Sequence, residues 1–220
     1  MKILSTKILT NEQQDLLKGF EVKEVSMIDI SFGEGFVLDQ KIENAIFTSV
    51  NSVKSVFEVH KNKADLFNTV FCVGSKTQKL LEQHGVKVEV VASNAQELSD
   101  LLVDKIANHK LNIKEVNWFC GNIRNTVLPT IMAENGVLVT EYIVYQTTLV
   151  PQKIKEDFDI ILFFSPTGII SYLKKNSVVN KPVVCIGVTT ATEALNSFNE
   201  VYMAEDTTVE SVIQKLKEII

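Results

Sequence analysis

The stretch VVCIGVTTATEA, residues 183–194, combines a strand, a sharp turn and the start of a helix. Four bulky apolar residues, 183–186, favour a strand that is buried on both faces. Gly187 permits a tight turn because it has no side chain. Thr189 or Thr190 is predicted to cap the helix that follows. The stretch therefore predicts half of a βα unit.

The same pattern occurs earlier in the chain, in VFCVGSKTQKLL, residues 70–81. Gly74 takes the place of Gly187, and Thr77 takes the place of Thr190, at an interval of 113 residues (74 to 187). One turn architecture is therefore predicted twice.

A second pair of matching segments lies upstream of each copy. IFTSVNSV, residues 46–53, matches FFSPTGII, residues 163–170, with Ser49 over Ser165 at an interval of 116 residues (49 to 165). An interval of this length is far longer than the repeat of a solenoid protein. The duplication predicts two homologous lobes.

Strands alternate with helices along most of the chain, which favours parallel sheets with helices on their faces. The sequence predicts an α/β protein of two Rossmann-like or flavodoxin-like lobes, joined by a two-stranded extended linker. Two segments in which apolar residues alternate, the period of a strand with one wet face, mark the linker strands. The predicted bounds are 1–28 plus 147–220 for a discontinuous lobe, 34–138 for an inserted lobe, and 29–33 with 139–146 for the linker.

Composition excludes several classes of protein. The net charge is −5 and Arg124 is the single arginine, so the chain is poorly suited to neutralising nucleic acid phosphates. The apolar run at the N-terminus is too short for a signal peptide or a membrane span. We therefore expect a cytoplasmic protein that binds neither nucleic acid nor membrane.

Metal and nucleotide sites are also disfavoured. Cys72, Cys120 and Cys185 each end an apolar run without CxxC spacing, which is typical of reduced, buried thiols. The histidines form no HxxxH or HExxH pair. The chain contains neither GxGxxG nor GxxxxGK[ST], the loops of dinucleotide and P-loop nucleotide sites. We expect no metal and no cofactor.

Ligands of parallel sheets bind at the carboxyl ends of the strands. In this chain those ends are turns rich in small and hydroxyl residues, and two extended crossings would let them face one another across a cleft. Helix N-termini offer unpaired N–H groups, so such a cleft can hold carboxylates without many arginines. The candidate binding residues are Thr48, Ser49, Asn51, Gly74, Thr77, Gly121, Arg124, Ser165, Thr167, Gly168, Gly187, Thr189 and Thr190.

Each of these residues also has a purely structural explanation. Serine and threonine before a helix are most often caps. Arg124 opens a predicted helix, 124–134, where a solvated cation is common although the helix dipole disfavours it. Tyr145 fits a packed strand aromatic better than a catalytic group by pattern alone.

Six segments, taken in order, resemble the uroporphyrinogen-III synthase family: FTSVNSV, VGSKTQKLLEQHG, GNIRNTVLPTIMAENG, YIVYQT, FFSPTG and IGVTTATEAL. They span nearly the whole chain, and the family's two α/β lobes joined by a two-stranded ladder agree with the predicted architecture. The resemblance implies cyclisation of hydroxymethylbilane to uroporphyrinogen III, with inversion of ring D and without cofactor or metal. Where the family often has threonine-arginine-proline near its start, this chain has Thr6-Lys7-Ile8.

The resemblance also implies roles for individual residues. Tyr145 matches the family's linker tyrosine and would assist departure of the substrate hydroxyl as a weak general acid. Arg124 and the helix N-termini would bind the eight substrate carboxylates. Thr77, Ser165, Thr189 and Thr190 would supply cleft hydroxyls and backbone donors.

We expect the functional state to be a monomer. The residues alone leave two other functions open. One is a non-catalytic, two-lobed binding protein for a small polyanionic ligand, because fold alone does not fix function. The other is flavin or nucleotide regulation, which would need a phosphate loop that the sequence lacks.

Overall fold

The computed structural model describes residues 1–33 and 36–220. Within them the chain divides into two compact units, one formed by Met1–Asp29 with Thr148–Ile220 and the other by Ile30–Thr147. Both ends of the chain thus belong to the first unit. The predicted start of the inserted lobe at residue 34 lies outside the described residues.

The chain alternates strands and helices. The strands are β1 Lys2–Ser5, β2 Glu21–Glu24, β3 Ile28–Ser31, β4 Ile42–Phe47, β5 Phe67–Val73, β6 Val88–Ala92, β7 Glu115–Gly121, β8 Leu138–Leu149, β9 Ile160–Phe163, β10 Val183–Cys185 and β11 Val201–Met203. The α-helices are α1 Asn11–Asp15, α2 Val50–Val53, α3 Ser75–Gln83, α4 Ala95–Ala107, α5 Val127–Glu134, α6 Pro166–Leu173, α7 Val188–Leu195 and α8 Val209–Glu218. A π-helix, Lys54–Val59, follows α2, and a 3₁₀ turn, Ala64–Leu66, precedes β5.

The two sheets have matching strand orders. The first unit has the order β11-β10-β9-β1-β2, and the second sheet has the order β3-β8-β7-β4-β5-β6. The pairs β1–β2, β1–β9, β9–β10 and β10–β11 are parallel, as are β4–β5, β4–β7, β5–β6 and β7–β8. The predicted fold class, two α/β units with mostly parallel sheets, is confirmed.

The duplication read from the sequence appears in the order of the strands. Strands β9, β10 and β11 occupy the places of β4, β5 and β6, while β1 and β2 occupy the places of β7 and β8. The matching segments of sequence thus lie at equivalent positions in the two sheets. Ser49 and Ser165 each cap the helix after the equivalent strand, with extended backbones at φ −154° and −165°.

Both faces of each sheet are buried. Along β9, Ile161 and Phe163 join one apolar cluster, and Ile160 and Leu162 join another on the opposite face. A strand covered on both sides reads as a continuous apolar run, which explains why these segments were readable from the sequence. In the second unit, Phe47 and neighbouring Ile46 likewise belong to different clusters.

Strand β8 is longer than the predicted linker. Residues 139–146 are extended as expected, and from Leu138 to Tyr145 the strand also pairs in parallel with β7. The other predicted crossing, 29–33, overlaps β3, which begins one residue earlier at Ile28 and lies next to β8 in the same sheet. Gly33 and Gly35 predict a turn after this crossing, and Gly35 lies outside the described residues.

Two local predictions are wrong. Helix α5 begins at Val127 and not at Arg124, because the intervening residues form a loop in which the guanidinium of Arg124 donates to nearby backbone carbonyls. Neither Thr189 nor Thr190 caps α7. Gly187 is the N-cap, so the threonines lie at the second and third helical positions, inside the first turn.

The structure also limits the classes of site. Over residues 1–33 and 36–220, no helix combines the length and the apolar character that a membrane crossing needs. The same residues contain no cluster of three or more histidine, cysteine or acidic side chains able to hold a metal ion.

Candidate active site

The strand order creates a switch point in each sheet. In the second unit the chain runs outward through β4, β5 and β6, then returns to place β7 on the other side of β4. In the first unit β9, β10 and β11 run outward, and β1 lies on the other side of β9. Crevices at the carboxyl ends of such strands are the usual ligand sites of open α/β sheets.

At the switch point of the second unit, the ring of Tyr145 lies directly against the backbone of Gly121. The two residues are paired across β7 and β8. A Cβ atom added to Gly121 would come within 2.5 Å of the Tyr145 ring and 2.9 Å of its hydroxyl oxygen. Only glycine fits under the ring. Gly121, predicted as a turn residue, is therefore needed here because it leaves space for Tyr145.

The Tyr145 hydroxyl meets Ser49, the cap of α2. Burial raises the pKa of the Tyr145 phenol above its ordinary value, and the hydrogen bond with Ser49 opposes this shift. Ser49 Oγ already accepts the backbone N–H of Asn51 at 3.1 Å, so its own proton is available to the phenol oxygen. The phenol therefore stays protonated near neutral pH and its proton can be offered to a ligand.

Thr48 belongs to the same edge of the sheet. Its Oγ1 accepts a hydrogen bond of 3.0 Å from Trp118 Nε1 on β7. A hydroxyl that accepts one bond keeps its own proton, so Thr48 can donate a hydrogen bond to a ligand.

Arg124 is held by its neighbours in this structure. Its guanidinium pairs with Glu141 on β8 and lies 5.9 Å from the Trp118 ring centroid. The hydrogen bond to Glu141 raises the pKa of Arg124, which is a cation at every ordinary pH. A ligand carboxylate would have to compete with Glu141 for this arginine.

The two glycine-capped turns are equivalent. Gly74 begins α3 and Gly187 begins α7, and neither helix has a side-chain cap. Thr77 and Thr190 occupy the third helical position in their helices and are 3% and 1% exposed. Thr189 is exposed one residue earlier. These turns leave the helix N-terminal N–H groups without a side-chain acceptor.

The remaining candidates lie at the switch point of the first unit. Ser165 caps α6 by accepting the N–H of Gly168 at 3.0 Å, and Thr167 is half-buried in the first turn. Thr6, in the turn where the chain departs from the family pattern, donates to the carbonyl of Leu162 at 2.7 Å. These contacts explain Ser165 and Thr6 structurally.

A match to the family model for uroporphyrinogen-III synthase HemD extends over residues 16–214. The chain belongs to the uroporphyrinogen-III synthase family. Its fold is similar to that of a uroporphyrinogen-III synthetase from Helicobacter pylori, at a TM-score of 0.68 and 19% identity, with 100% of this chain and 99% of that chain covered. It is also similar to that of a mutant uroporphyrinogen III synthase from Thermus thermophilus, at a TM-score of 0.70 and 13% identity. This match covers 99% of this chain and 98% of that chain.

Membership of this family makes the chain a cyclising lyase of tetrapyrrole biosynthesis. Burial raises the pKa of Cys72 and Cys185 to about 12 and that of Cys120 to about 11, so the three thiols stay protonated near neutral pH. No comparison favours the non-catalytic binding protein that the residues left open.

Sequence reasoning missed two residues of this uroporphyrinogen-III synthase fold that contact the candidates. Glu141, which pairs with Arg124, looked like one polar position of an alternating strand. Asn122 donates its backbone N–H to the carbonyl of Tyr145 at 3.3 Å, and its side chain bonds both the N–H and the carbonyl of Thr147 at 2.7 and 3.2 Å. Its position between Gly121 and Arg124 was the signal that could have revealed it.

Proposed function

We propose that the protein closes hydroxymethylbilane to uroporphyrinogen III with Tyr145 as the proton donor to the departing hydroxyl. The observation that carries this proposal is the geometry of the phenol at the switch point. Its ring rests on Gly121 and its oxygen meets Ser49. A protonated phenol whose oxygen accepts a hydrogen bond is a better acid, because the same bond stabilises the phenolate that forms.

The proposed steps balance without an added reagent. The Tyr145 proton goes to the substrate hydroxyl, which leaves as water, and a pyrrole nitrogen lone pair generates the azafulvene. Ring D attacks this carbon through its own substituted α position to give a spiro intermediate. The bond from that position to the methylene shared with ring C then breaks, and the free α position of ring D bonds this methylene carbon instead. The proton released when the macrocycle regains its aromatic pyrrole restores the phenol. The net change is the loss of one water.

Carboxylate binding completes the proposal. Arg124 and the glycine-capped N-termini of α3 and α7 would bind substrate carboxylates, with Thr77 and Thr190 beside them. Cations and helix N–H groups are the natural partners of carboxylates.

Holding the bilane in one shape is the main demand on the protein, because unassisted closure gives the type I isomer. An enzyme accelerates only the route whose transition state it binds best. The cytoplasmic location and the monomeric state remain predictions from the sequence.

The test is to supply hydroxymethylbilane to the purified protein and to separate the product isomers after oxidation to porphyrins. We expect the type III isomer to predominate, whereas a buffer control gives type I. A protein that binds the bilane but leaves type I as the product would be the polyanion-binding protein and would contradict the proposal.

A further inference from the structure

Strand β8 contains a β-bulge immediately before Tyr145. Cys120 pairs with Ile143 and Gly121 pairs with Tyr145, so Val144 is an extra residue in β8. Side chains alternate along a regular strand, and one inserted residue reverses which face the following side chain takes. Val144 and Tyr145 are neighbours in sequence, yet both pack against the same apolar cluster. The bulge therefore turns Tyr145 onto the face where it meets Gly121 and Ser49.

The bulge is held by a residue on a neighbouring helix. The hydroxyl of Ser55 donates a hydrogen bond to the backbone carbonyl of Val144. Both residues are buried, Ser55 at 0% and Val144 at 3% exposure. A bulge leaves one backbone group outside the regular ladder, and a buried carbonyl without a partner is costly. Ser55 satisfies this group.

Ser55 lies in the π-helix Lys54–Val59, which directly continues α2. The N–H of His60 bonds to the carbonyl of Ser55, five residues earlier, which is the pattern of a π-helix. Val53 and Val56, on either side of Ser55, are fully buried and fix the helix against the core. Irregular turns of this kind recur at functional sites because they redirect particular side chains.

A second anchor acts on the other side of Tyr145. Asn122 bonds the carbonyl of Tyr145 through its backbone and both backbone groups of Thr147 through its side chain. The segment 144–147 is thus tied at its start by Ser55 and along the rest of its length by Asn122. The side chain of Tyr145 has little freedom to leave Gly121.

We propose that Ser55 is a positioning residue for Tyr145, acting through the bulge at Val144. Its hydroxyl bonds the carbonyl of Val144, and it works by fixing the face of the sheet to which the phenol belongs. The inference deepens the proposed function and rests on the role of Tyr145 as proton donor.

The test compares two substitutions of Ser55 with a matched control. Ser55→Ala removes the hydroxyl and leaves a small space, while Ser55→Cys fills the space with a poor donor. Ser99→Ala is the control, because Ser99 is equally buried in the same unit and donates only to Ala95 of its own helix. We expect both Ser55 variants to lose about fivefold to about fiftyfold in kcat with little change in KM, since a small misplacement of a reacting group is costly.

Two further measurements separate positioning from general damage. In the Tyr145→Phe background, Ser55→Ala should cause no further loss of kcat, because the group it positions is gone. With ring-labelled tyrosine, the Tyr145 NMR signal, assigned among the four tyrosines by its absence in Tyr145→Phe, should shift in both Ser55 variants and stay fixed in Ser99→Ala. If Ser55→Ala does not fold, the same rate and NMR measurements are made on Ser55→Cys.

Three results would overturn the inference. They are a normal rate in Ser55→Cys, an additive loss of rate in the Tyr145→Phe background, and an unmoved Tyr145 signal. A normal rate in Tyr145→Phe itself would instead overturn the proton-donor role, and the NMR shift would still decide whether Ser55 positions the ring.

Discussion

At the scale of single residues, Tyr145 and Arg124 differ in whether a neighbouring side chain competes with a ligand for them. The Tyr145 phenol is buried, and its hydrogen bond with Ser49 opposes the rise in pKa that burial causes. Arg124 is neutralised by Glu141, with side-chain exposures of 26% and 31% for the pair. Partly exposed ion pairs contribute little to folding and are readily exchanged. If Arg124 binds a substrate carboxylate as proposed, Glu141 competes with that carboxylate for the guanidinium.

Because Arg124 and Glu141 form an ion pair, replacing either residue should change KM, in opposite directions. Arg124→Ala should raise KM severalfold with little change in the melting temperature, because it removes a cation that can pair with a carboxylate. Glu141→Gln should lower KM, because it removes a competing negative charge. Steady-state kinetics at low ionic strength measures both.

Glu115→Gln is the matched control for the glutamate. Glu115 starts β7, accepts a hydrogen bond from Thr140 at 2.8 Å, and lies at the amino end of the strand. Its substitution should leave KM unchanged. A raised KM in Glu141→Gln would mean that Glu141 orients the arginine and does not compete for it.

At the scale of elements, the strand–turn–helix units were readable because both faces of their strands are buried and glycine marks the turns. The register of β8 was not readable. Its alternating residues fit a regular strand, and the extra residue at Val144 depends on a contact with Ser55, far away in sequence. The π-helix could not be predicted from the sequence either. Val53, Val56 and Phe57 have the i, i+3, i+4 spacing of apolar residues that indicates an ordinary α-helix.

The capping of helices shows the same limit. A threonine after Gly187 looked like a cap, and the extended glycine itself takes that position, which moves the threonines into the helix. Ser49 and Ser165 matched the prediction that residues of this type cap helices. Sequence identifies residues able to cap a helix, but the turn before them decides which one does so.

Ser49 joins a cap to the candidate proton donor, so its substitution should have two effects. Ser49→Ala should cost about 1 kcal/mol of stability as a lost cap. It should also lower kcat about tenfold, because the phenolate would lose its donor. Chemical unfolding and steady-state kinetics on the same samples separate the two effects.

Asn94→Ala provides the comparison for Ser49→Ala. Asn94 caps α4 in the same unit by accepting the N–H of Glu97 at 2.9 Å, a bond that does not involve Tyr145. It should lose similar stability and keep its rate. If Ser49→Ala also kept the wild-type rate, Ser49 would act only as a helix cap.

At the scale of the whole molecule, the duplicated strand order accounts for two equivalent sets of turns. The carboxyl ends of β4 and β5 carry Ser49 and Gly74, and those of β9 and β10 carry Ser165 and Gly187. The position of Tyr145 breaks this equivalence. It lies on the long strand β8, whose counterpart β2 has only four residues, Glu21–Glu24. The proton-donor role is therefore proposed for the switch point of the second unit alone.

The central claim, that Tyr145 donates the proton that releases the substrate hydroxyl, is tested most directly by turnover of hydroxymethylbilane in Tyr145→Phe. The matched control is Tyr142→Phe, because Tyr142 lies on the same strand and stacks on Phe119 with ring centroids 5.0 Å apart. We predict that Tyr145→Phe forms type III product about tenfold to about a hundredfold more slowly, with a nearly unchanged melting temperature, while Tyr142→Phe keeps the wild-type rate. A wild-type rate of type III formation in Tyr145→Phe would contradict the account.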